Sequence, residues 1–363
     1  MSFSIQALAD QLGLEAAGDT DLTVASLAEP QEAGAAELAV AMAPKYAEDL
    51  PKGAAQAAIL WDGADWQALG LRAAIFATRP RVAMSGLTQA FDAGQHFGGD
   101  IHPSAVIDPS AELAAGVSVG PMSVIGPRAR IGAGCVIGPQ CFVGADVVMG
   151  QGCFLREQVS IGARCVLGDR VILQPGARIG GDGFSYVTPE ISAVETARAN
   201  LDDPGTGDAQ AWLRIHSVGA VSLGDDVEVG SNANIDNGTV RSTRIGRGTK
   251  VDSLVQIGHN CTVGENCLIC GQAGLAGSVV LGNNVVVGGK ASIADNLSVG
   301  DNAVIAGNSG VASNVPAGRM VMGYPAIKMD TFKEIYTASR RLPRLMRDFA
   351  SLQKAVSKRG DSD

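Results

Sequence analysis

A six-residue repeat of apolar residues dominates the chain. From Ile101 to Ile179 every sixth residue is Ile, Leu, Val or Met, fourteen times in succession. The period returns from Leu223 to Ile235, shifts by four residues, and then runs through thirteen hexads from Ile245 to Ala317. This pattern is typical of a parallel β-helix, in which three hexads form one coil. It predicts a mainly β protein of about ten coils, stacked at the ~4.8 Å spacing of neighbouring strands.

The repeat also separates inward-facing from outward-facing positions. The apolar residue points inward, and the next position is Gly in nine of the first fourteen hexads, which predicts a tight corner with backbone angles that a β-carbon would obstruct. Proline recurs at the third position, as at Pro103 and Pro121, and this position faces outward because proline has no N–H for a ladder. Small residues fill the interior at the fifth position: Ala105, Ser123, Cys135, Cys141, Cys153, Cys165, Cys261 and Cys267.

The first hundred residues lack this repeat. Apolar residues recur at helical spacing in Ile5–Leu12 and Ser85–Phe97, whereas Ala57–Trp61 and Ala73–Ala77 are short apolar runs typical of strands. We therefore expect a small α/β domain over residues 1–100. The β-helix follows over residues 101–325, with a poorly patterned insertion at about 182–216.

The last segment, residues 326–363, predicts a helical tail. Apolar residues recur at helical spacing from Phe332 to Val356, and Pro343 within this run predicts two helices rather than one. Residues 328–359 carry nine Lys or Arg against three Asp or Glu, a net charge of +6, while the rest of the chain carries −15. A basic tail on an acidic protein favours an acidic partner. Two other interpretations stay open: a merely solvated charged face, and an apolar stripe that packs on a sister helix.

Composition and cysteine spacing exclude several classes of protein. Cys267 and Cys270 form a C-x-x-C pair, but no second pair lies at zinc-site spacing, so we expect no metal. Met1–Gly18 lacks the basic start of a signal peptide, and no apolar stretch approaches the ~18 residues of a membrane span, which favours a cytoplasmic location. The tail has no aromatic interleaving and the chain is acidic, which argues against nucleic acid. Peripheral membrane contact stays open.

Candidate chemistry centres on one histidine. His259 stands at the third position of its hexad and so faces outward. One coil is 18 residues, which places Gly277 one rung above it. A general base beside a backbone N–H suits acyl transfer, since the N–H can stabilise an oxyanion. Asp252 is a candidate to orient the imidazole, and an ordinary turn aspartate, like Asp301, is the alternative.

At these residues the chain resembles the UDP-3-O-(3-hydroxyacyl)glucosamine N-acyltransferases of lipid A biosynthesis. The resemblance spans nearly the whole chain. It is carried by Val255–Asn260, by Gly180–Tyr186, which is similar to the family's G-x-D-G-F-G-F loop, by Pro44–Tyr46, and by the helical tail. The chain departs from the family pattern at Asn296, where some members have a second histidine, and in the uridine motif, where Val40 and Ala43 replace an aromatic residue and an asparagine.

The resemblance implies a homotrimer of left-handed β-helices with active sites between subunits. It implies transfer of an (R)-3-hydroxyacyl group from acyl carrier protein to the 2-amino group of UDP-3-O-(3-hydroxyacyl)-glucosamine. No resident cofactor is expected, because phosphopantetheine travels on the carrier protein. His259 becomes the general base, Gly277 the oxyanion donor, and the N-terminal domain the uridine-binding domain.

The resemblance also implies roles for further residues. It assigns substrate binding to Lys45, Tyr46, Gln256, Asn260, Asp182 and Phe184. It assigns carrier-protein binding to Arg340, Arg341, Arg344 and Arg347. Two other enzymes stay open. One is the sibling UDP-N-acetylglucosamine O-acyltransferase, and the extra N-terminal domain argues against it. The other is an acetyl-CoA-dependent sugar N-acetyltransferase, and the basic tail argues against it. A non-catalytic β-helix that serves as an assembly subunit is a different class, against which an outward-facing His259 argues.

Overall fold

The structure is a computed structural model of the whole chain, and it describes residues 2–193, 195–196, 210–323 and 326–360, with side chains described as far as residue 354. Much of the predicted insertion, residues 194 and 197–209, lies outside the described residues, as do residues 324–325 and 361–363. The chain divides into two compact units, Met1–His96 and Phe97–Asp363.

The N-terminal unit is a mixed α/β structure. Its five-stranded sheet has the order Glu15–Gly18, Ala73–Ala77, Ala57–Trp61, Glu37–Ala41 and Ser26–Ala28, and Phe3–Ser4 pairs separately with Thr23–Val24. The helices are α1 (Ile5–Leu12), the short α2 (Pro44–Ala47), a 3-10 turn (Leu50–Lys52) and α3 (Pro80–Phe91). The predicted strands at 57–61 and 73–77 and the helix at 5–12 are confirmed. Helix α3 begins and ends earlier than the predicted 85–97.

The second unit is a parallel β-helix with three faces, and each strand pairs with the equivalent strand of the next coil. The strands of the first face are Ser118–Val119, Val136–Ile137, Phe154–Leu155, Ile172–Leu173, Glu228–Val229, Lys250–Val251, Leu268–Ile269, Val286–Val287, Val304–Ile305 and Met320–Val321. Those of the second face are Val106–Ile107, Val124–Ile125, Phe142–Val143, Ser160–Ile161, Arg178–Gly181, Asn234–Asp236, Gln256–Ile257, Gly274–Leu275, Ser292–Ile293 and Gly310–Val311. Those of the third face are Glu112–Leu113, Arg130–Ile131, Val148–Met149, Val166–Leu167, Val221–Leu223, Thr243–Ile245, Thr262–Val263, Val280–Leu281 and Ser298–Val299. Within the described residues the three faces have ten, ten and nine strands, close to the predicted ten coils.

The interior contains the residues that the repeat predicts. Every apolar hexad residue from Val119 to Val311 is buried, and so are the six cysteines at the small fifth position. Five of these thiols donate a hydrogen bond to a carbonyl 15 residues later, as Cys261 does to the Ala276 carbonyl at 3.1 Å. These cysteines therefore pack the core and satisfy backbone carbonyls.

Glycine is required at the second position of the hexads for a reason other than the predicted one. A β-carbon on Gly120 would lie 2.7 Å from the backbone of Gly138, and one on Gly132 would lie 2.4 Å from the Gly150 carbonyl oxygen. Left-handed angles occur instead at the fourth position, for example at Met122 with φ 58°. Most second-position glycines are thus required by the close approach of the next coil and not by their own backbone angles.

The C-terminal tail corrects a further expectation. A single helix, α4, runs from Met329 to Gly360 and contains Pro343, so the predicted division into two helices is wrong. Proline removes the hydrogen bond to the carbonyl of Ser339, four residues earlier. Ser339 is exposed, so water can satisfy that carbonyl and the helix continues. Within the described residues, no helix combines the length and apolar character that a membrane span requires.

Candidate functional site

The candidate residues meet at one corner of the β-helix, in the turns that follow the strands of the second face. Asp182 follows Arg178–Gly181, His259 and Asn260 follow Gln256–Ile257, and Gly277 follows Gly274–Leu275. Parallel pairing keeps equivalent positions in register, with Ile257 opposite Leu275. Residues far apart in sequence therefore stack in successive coils, as the 18-residue spacing predicts for His259 and Gly277.

The imidazole of His259 lies between two glycines. A β-carbon on Gly277 would lie 2.7 Å from Nε2 and Cε1 of the ring, and a β-carbon on Gly183 would lie 2.7 Å from the His259 Cβ and 3.1 Å from Cγ. Any larger residue at either position would displace the ring. Among the described residues, the Gly277 N–H donates to no acceptor, so it is available to an oxyanion beside Nε2.

Asn260 determines which imidazole nitrogen carries the proton. Its side-chain Oδ1 accepts a hydrogen bond from the Thr239 N–H at 3.1 Å, and its Nδ2 donates to the Arg241 carbonyl at 3.2 Å. These two backbone groups fix the orientation of the amide. Since Oδ1 lies 2.9 Å from His259 Nδ1, Nδ1 must be the donor. The free lone pair is therefore on Nε2, which faces Gly277.

This geometry corrects the predicted role of Asp252 and adds one for Asn260. Asp252 accepts hydrogen bonds from the N–H groups of Ser253 and Gly271 at 2.7 Å each, and none of the described contacts of His259 includes it. It is a turn aspartate, like Asp301, which accepts from a backbone N–H in the same way. Both ends of the Asn260 side-chain amide have partners within the protein, which supports a role in positioning His259, and its substrate contact stays a prediction.

An apolar cavity of about 780 Å³ lies on one side of His259. Its wall is mostly apolar, with Phe184, Tyr186, Val187, Trp212 and Ile215, and it also includes His259, Gly277, Asn296 and the carboxylate residues Glu195 and Asp295. The strands Tyr186–Val187 and Leu213–Arg214 pair at the base of the insertion and bring these side chains to the corner. Phe184 is 86% exposed and packs edge-on against Tyr186, with ring centroids 5.1 Å apart.

A smaller cavity of about 380 Å³ shares His259 with the first. We call it the polar cavity after its polar side chains, although apolar atoms form most of its surface, as they do in the first cavity. Its lining combines Asp182, Asn234, Asp236 and Gln256 with His259 and Gly277, and it includes Phe184 and Ala276, which also line the apolar cavity. Asp182 lies 3.6 Å from the guanidinium of Arg214. His259 thus lines both cavities.

The other predicted residues lie elsewhere in the chain. Lys45 and Tyr46 belong to α2 of the N-terminal unit, where the Lys45 ammonium lies 4.6 Å from the Tyr46 ring centroid. All four predicted carrier-binding arginines are exposed in the middle of α4: Arg340, Arg341, Arg344 and Arg347.

Sequence reasoning missed three residues of the site. Gly183 lies within the motif Gly180–Tyr186 but has no predicted role of its own, and neither Asn234 nor Asp236 has one. Asp236 carried a usable signal, because it is an acidic residue at the end of a hexad strand just before the repeat shifts by four residues.

Known proteins resemble this chain both in its repeat and over its full length. The family model for the bacterial transferase hexapeptide (six repeats) matches residues 242–277, which include the histidine turn and Gly277. The UDP-3-O-acylglucosamine N-acyltransferase of Ruegeria pomeroyi is 67% identical over 363 residues, the whole of both chains. That of Paracoccus denitrificans is 58% identical over 358 residues, covering 99% of this chain and 98% of the relative.

A solved structure supports the fold. The UDP-N-acetylglucosamine acyltransferase of Arabidopsis superposes with a TM-score of 0.52 at 25% identity, covering 61% of this chain and 71% of that chain. The match supports the β-helix, whereas the two sequence relatives extend over the N-terminal unit and the tail as well. On that full-length similarity, the chain belongs to the UDP-3-O-acylglucosamine N-acyltransferase family.

Proposed function

We propose that the protein transfers an (R)-3-hydroxyacyl group from acyl carrier protein to the 2-amino group of a UDP-3-O-acylglucosamine. One observation carries this proposal: His259 lies where an apolar and a polar cavity meet. The apolar cavity suits an acyl chain, and the polar cavity suits a sugar with an amino group. A base at their junction can act on both substrates at once.

The proposed reaction uses two groups of the chain directly. Nε2 of His259 accepts a proton from the amine as its nitrogen attacks the thioester carbonyl carbon. The oxyanion that forms accepts a hydrogen bond from the Gly277 N–H. Collapse of this intermediate breaks the C–S bond, and the departing thiolate takes the proton from the imidazolium. The products are an amide and a free thiol, and His259 returns to its neutral form.

The positive charge of α4 supports acyl carrier protein as the partner. Acyl carrier protein is acidic, and α4 presents Arg340, Arg344 and Arg347 on one face, since these residues are spaced four and three apart. Their side chains are exposed to solvent and available to a partner. The N-terminal unit is proposed to bind the uridine through Lys45 and Tyr46, whose ring is 44% exposed.

The exposed apolar surface of α4 supports a homotrimer. Helix α4 exposes a row of large apolar side chains, each more than half exposed in the single chain: Phe332, Ile335, Tyr336, Leu342, Leu345, Met346, Phe349 and Leu352. A stripe of this size on one helix favours burial against equivalent helices of other copies.

The experiment compares wild type with His259→Ala on two acceptors. Each enzyme receives (R)-3-hydroxyacyl carrier protein with UDP-3-O-acylglucosamine or with UDP-N-acetylglucosamine. The proposal expects N-acylation of the first acceptor alone and a loss of roughly 10²- to 10⁴-fold in the variant, the range for removing a general base. O-acylation of the second acceptor would favour the sibling enzyme, and inactivity on both would favour a binding subunit.

A further inference from the structure

The polar cavity contains a buried carboxylate that the proposed reaction has not used. Asp236 ends the strand Asn234–Asp236 and is only 8% exposed. Its Oδ1 accepts a hydrogen bond from Asn234 Nδ2 at 2.6 Å, and its Oδ2 accepts one from Gln256 Nε2 at 3.1 Å. Asn234 Nδ2 also lies 3.1 Å from Gln256 Oε1, so three side chains form one hydrogen-bonded network in the cavity wall.

The partners of Asp236 are neutral. Across the described residues, no lysine or arginine forms an ion pair with it, and the charge that acts on it is that of His259 when the imidazole is protonated. Burial raises the pKa of the Asp236 carboxyl. Buried carboxylates are normally paired with a cation, because isolated charge is costly away from water. A cationic substrate group would supply the missing partner.

We propose that Asp236 binds the 2-amino group of the acceptor as an ammonium and holds it beside His259. This inference rests on the proposed function, since it concerns how that reaction recognises its acceptor. A hydrogen bond between an ammonium and a carboxylate is charge-assisted and stronger than one to a neutral group. A hydroxyl at the same carbon carries no positive charge, so Asp236 selects an amino sugar.

The proton balance is complete with the groups present. The bound ammonium loses one proton to solvent and becomes a neutral amine. Nε2 of His259 accepts the second proton as the C–N bond forms, and passes it to the leaving thiolate. Asp236 binds the ammonium and is unchanged over the cycle.

The test compares two acceptors that differ only at carbon 2. UDP-3-O-acylglucosamine carries the amine, and UDP-3-O-acylglucose carries a hydroxyl. Calorimetry at near-neutral pH gives the dissociation constant of each for wild type, Asp236→Asn and Asp226→Asn. Asp226 is the matched control, because it is paired with Arg170 on the outside of the coil at 2.7 Å and lines neither cavity.

Wild type and Asp226→Asn should bind the amino sugar about 10- to 100-fold more tightly than the hydroxyl sugar, the usual range for a hydrogen bond to a charged group. Asp236→Asn should reduce this ratio toward one and still bind the hydroxyl sugar as wild type does. A wild-type ratio near one, or a ratio that Asp236→Asn leaves unchanged, overturns the inference. If Asp236→Asn binds neither sugar, the proposal is judged from the wild-type preference for the amino sugar over the hydroxyl sugar. Wild type that binds neither sugar refutes the proposed function instead.

Discussion

Replacement of Gly277 by alanine should displace the imidazole of His259 and slow acyl transfer. The added β-carbon would lie 2.7 Å from Nε2 and Cε1. Non-bonded carbon contacts settle near ~3.5 Å, so the ring must move by about 0.8 Å. It has little freedom to do so, because Gly183 occupies its other side and Asn260 holds Nδ1 at 2.9 Å.

The expected magnitude follows from that displacement. A misplacement of about 1 Å in a catalytic group can cost about 10²-fold in rate, so Gly277→Ala should lower kcat by about 10- to 100-fold. This corresponds to about 1.4 to 2.7 kcal/mol of transition-state stabilisation. The assay is the initial rate of N-acylation with saturating carrier-protein thioester and UDP-3-O-acylglucosamine.

Gly310→Ala is the matched control. A β-carbon on Gly310 meets nothing within 4 Å, and Gly310 lies in a second-face strand two coils beyond Gly274. Both variants should melt near the wild-type temperature, and Gly310→Ala should keep wild-type activity. If Gly277→Ala kept activity within twofold of wild type, the ring would not be confined as described. Equal losses in both variants would assign the effect to coil packing.

Three further predictions test other parts of the argument. Asn260→Ala should reduce kcat by about tenfold with little change in the acceptor KM, because the substitution leaves the imidazole in place but frees it to change tautomer. An acceptor KM that rises at constant kcat would favour the predicted substrate contact instead. Neutralising the four exposed arginines of α4 should raise the KM for carrier protein and flatten its dependence on salt, and unchanged kinetics would make the tail purely structural. Burial raises the pKa of Asp236 above the usual range of a carboxyl, so stability is lost as the pH rises through the raised value. Asp236→Asn should therefore raise the melting temperature at pH 7 and lose this gain near pH 4. Asp226→Asn should show no such gain, because Arg170 lowers the pKa of Asp226, and equal shifts in both variants would contradict the burial argument.

The six-residue period sets both the direction of the side chains and the register of the strands, so most of the β-helix was predictable. An inward apolar residue every six positions places the strands, and three hexads per coil place Gly277 above His259. The same arithmetic indicated that His259 faces outward, and it lines both cavities. The period could not distinguish the two reasons for glycine at the corner positions, because a left-handed backbone angle and a close neighbouring coil both exclude a β-carbon.

The rest of the site could not be predicted from the period, because it is built where the period fails. The repeat shifts by four residues after Ile235, and the segment 236–243 supplies Asp236 and four hydrogen-bonding partners of Asn260. These are the Thr239 N–H, the Arg241 carbonyl, the Arg241 guanidinium, which donates to the Asn260 carbonyl at 2.9 Å, and the Thr243 hydroxyl, which accepts from the Asn260 N–H at 2.9 Å. Gly183, on the other side of the imidazole, belongs to the turn that opens the insertion.

These departures explain how a uniform scaffold acquires a specific site. A regular coil presents the same turn eighteen residues later, so periodic positions alone would surround His259 with equivalent neighbours at every level. The four extra residues instead bring backbone donors and acceptors to Asn260, and the insertion brings Gly183 and an apolar wall. Local inconsistency with the fold's own pattern is expected where function requires it. In this β-helix the period therefore supplies His259 and Gly277, and the breaks in the period supply the residues that position His259.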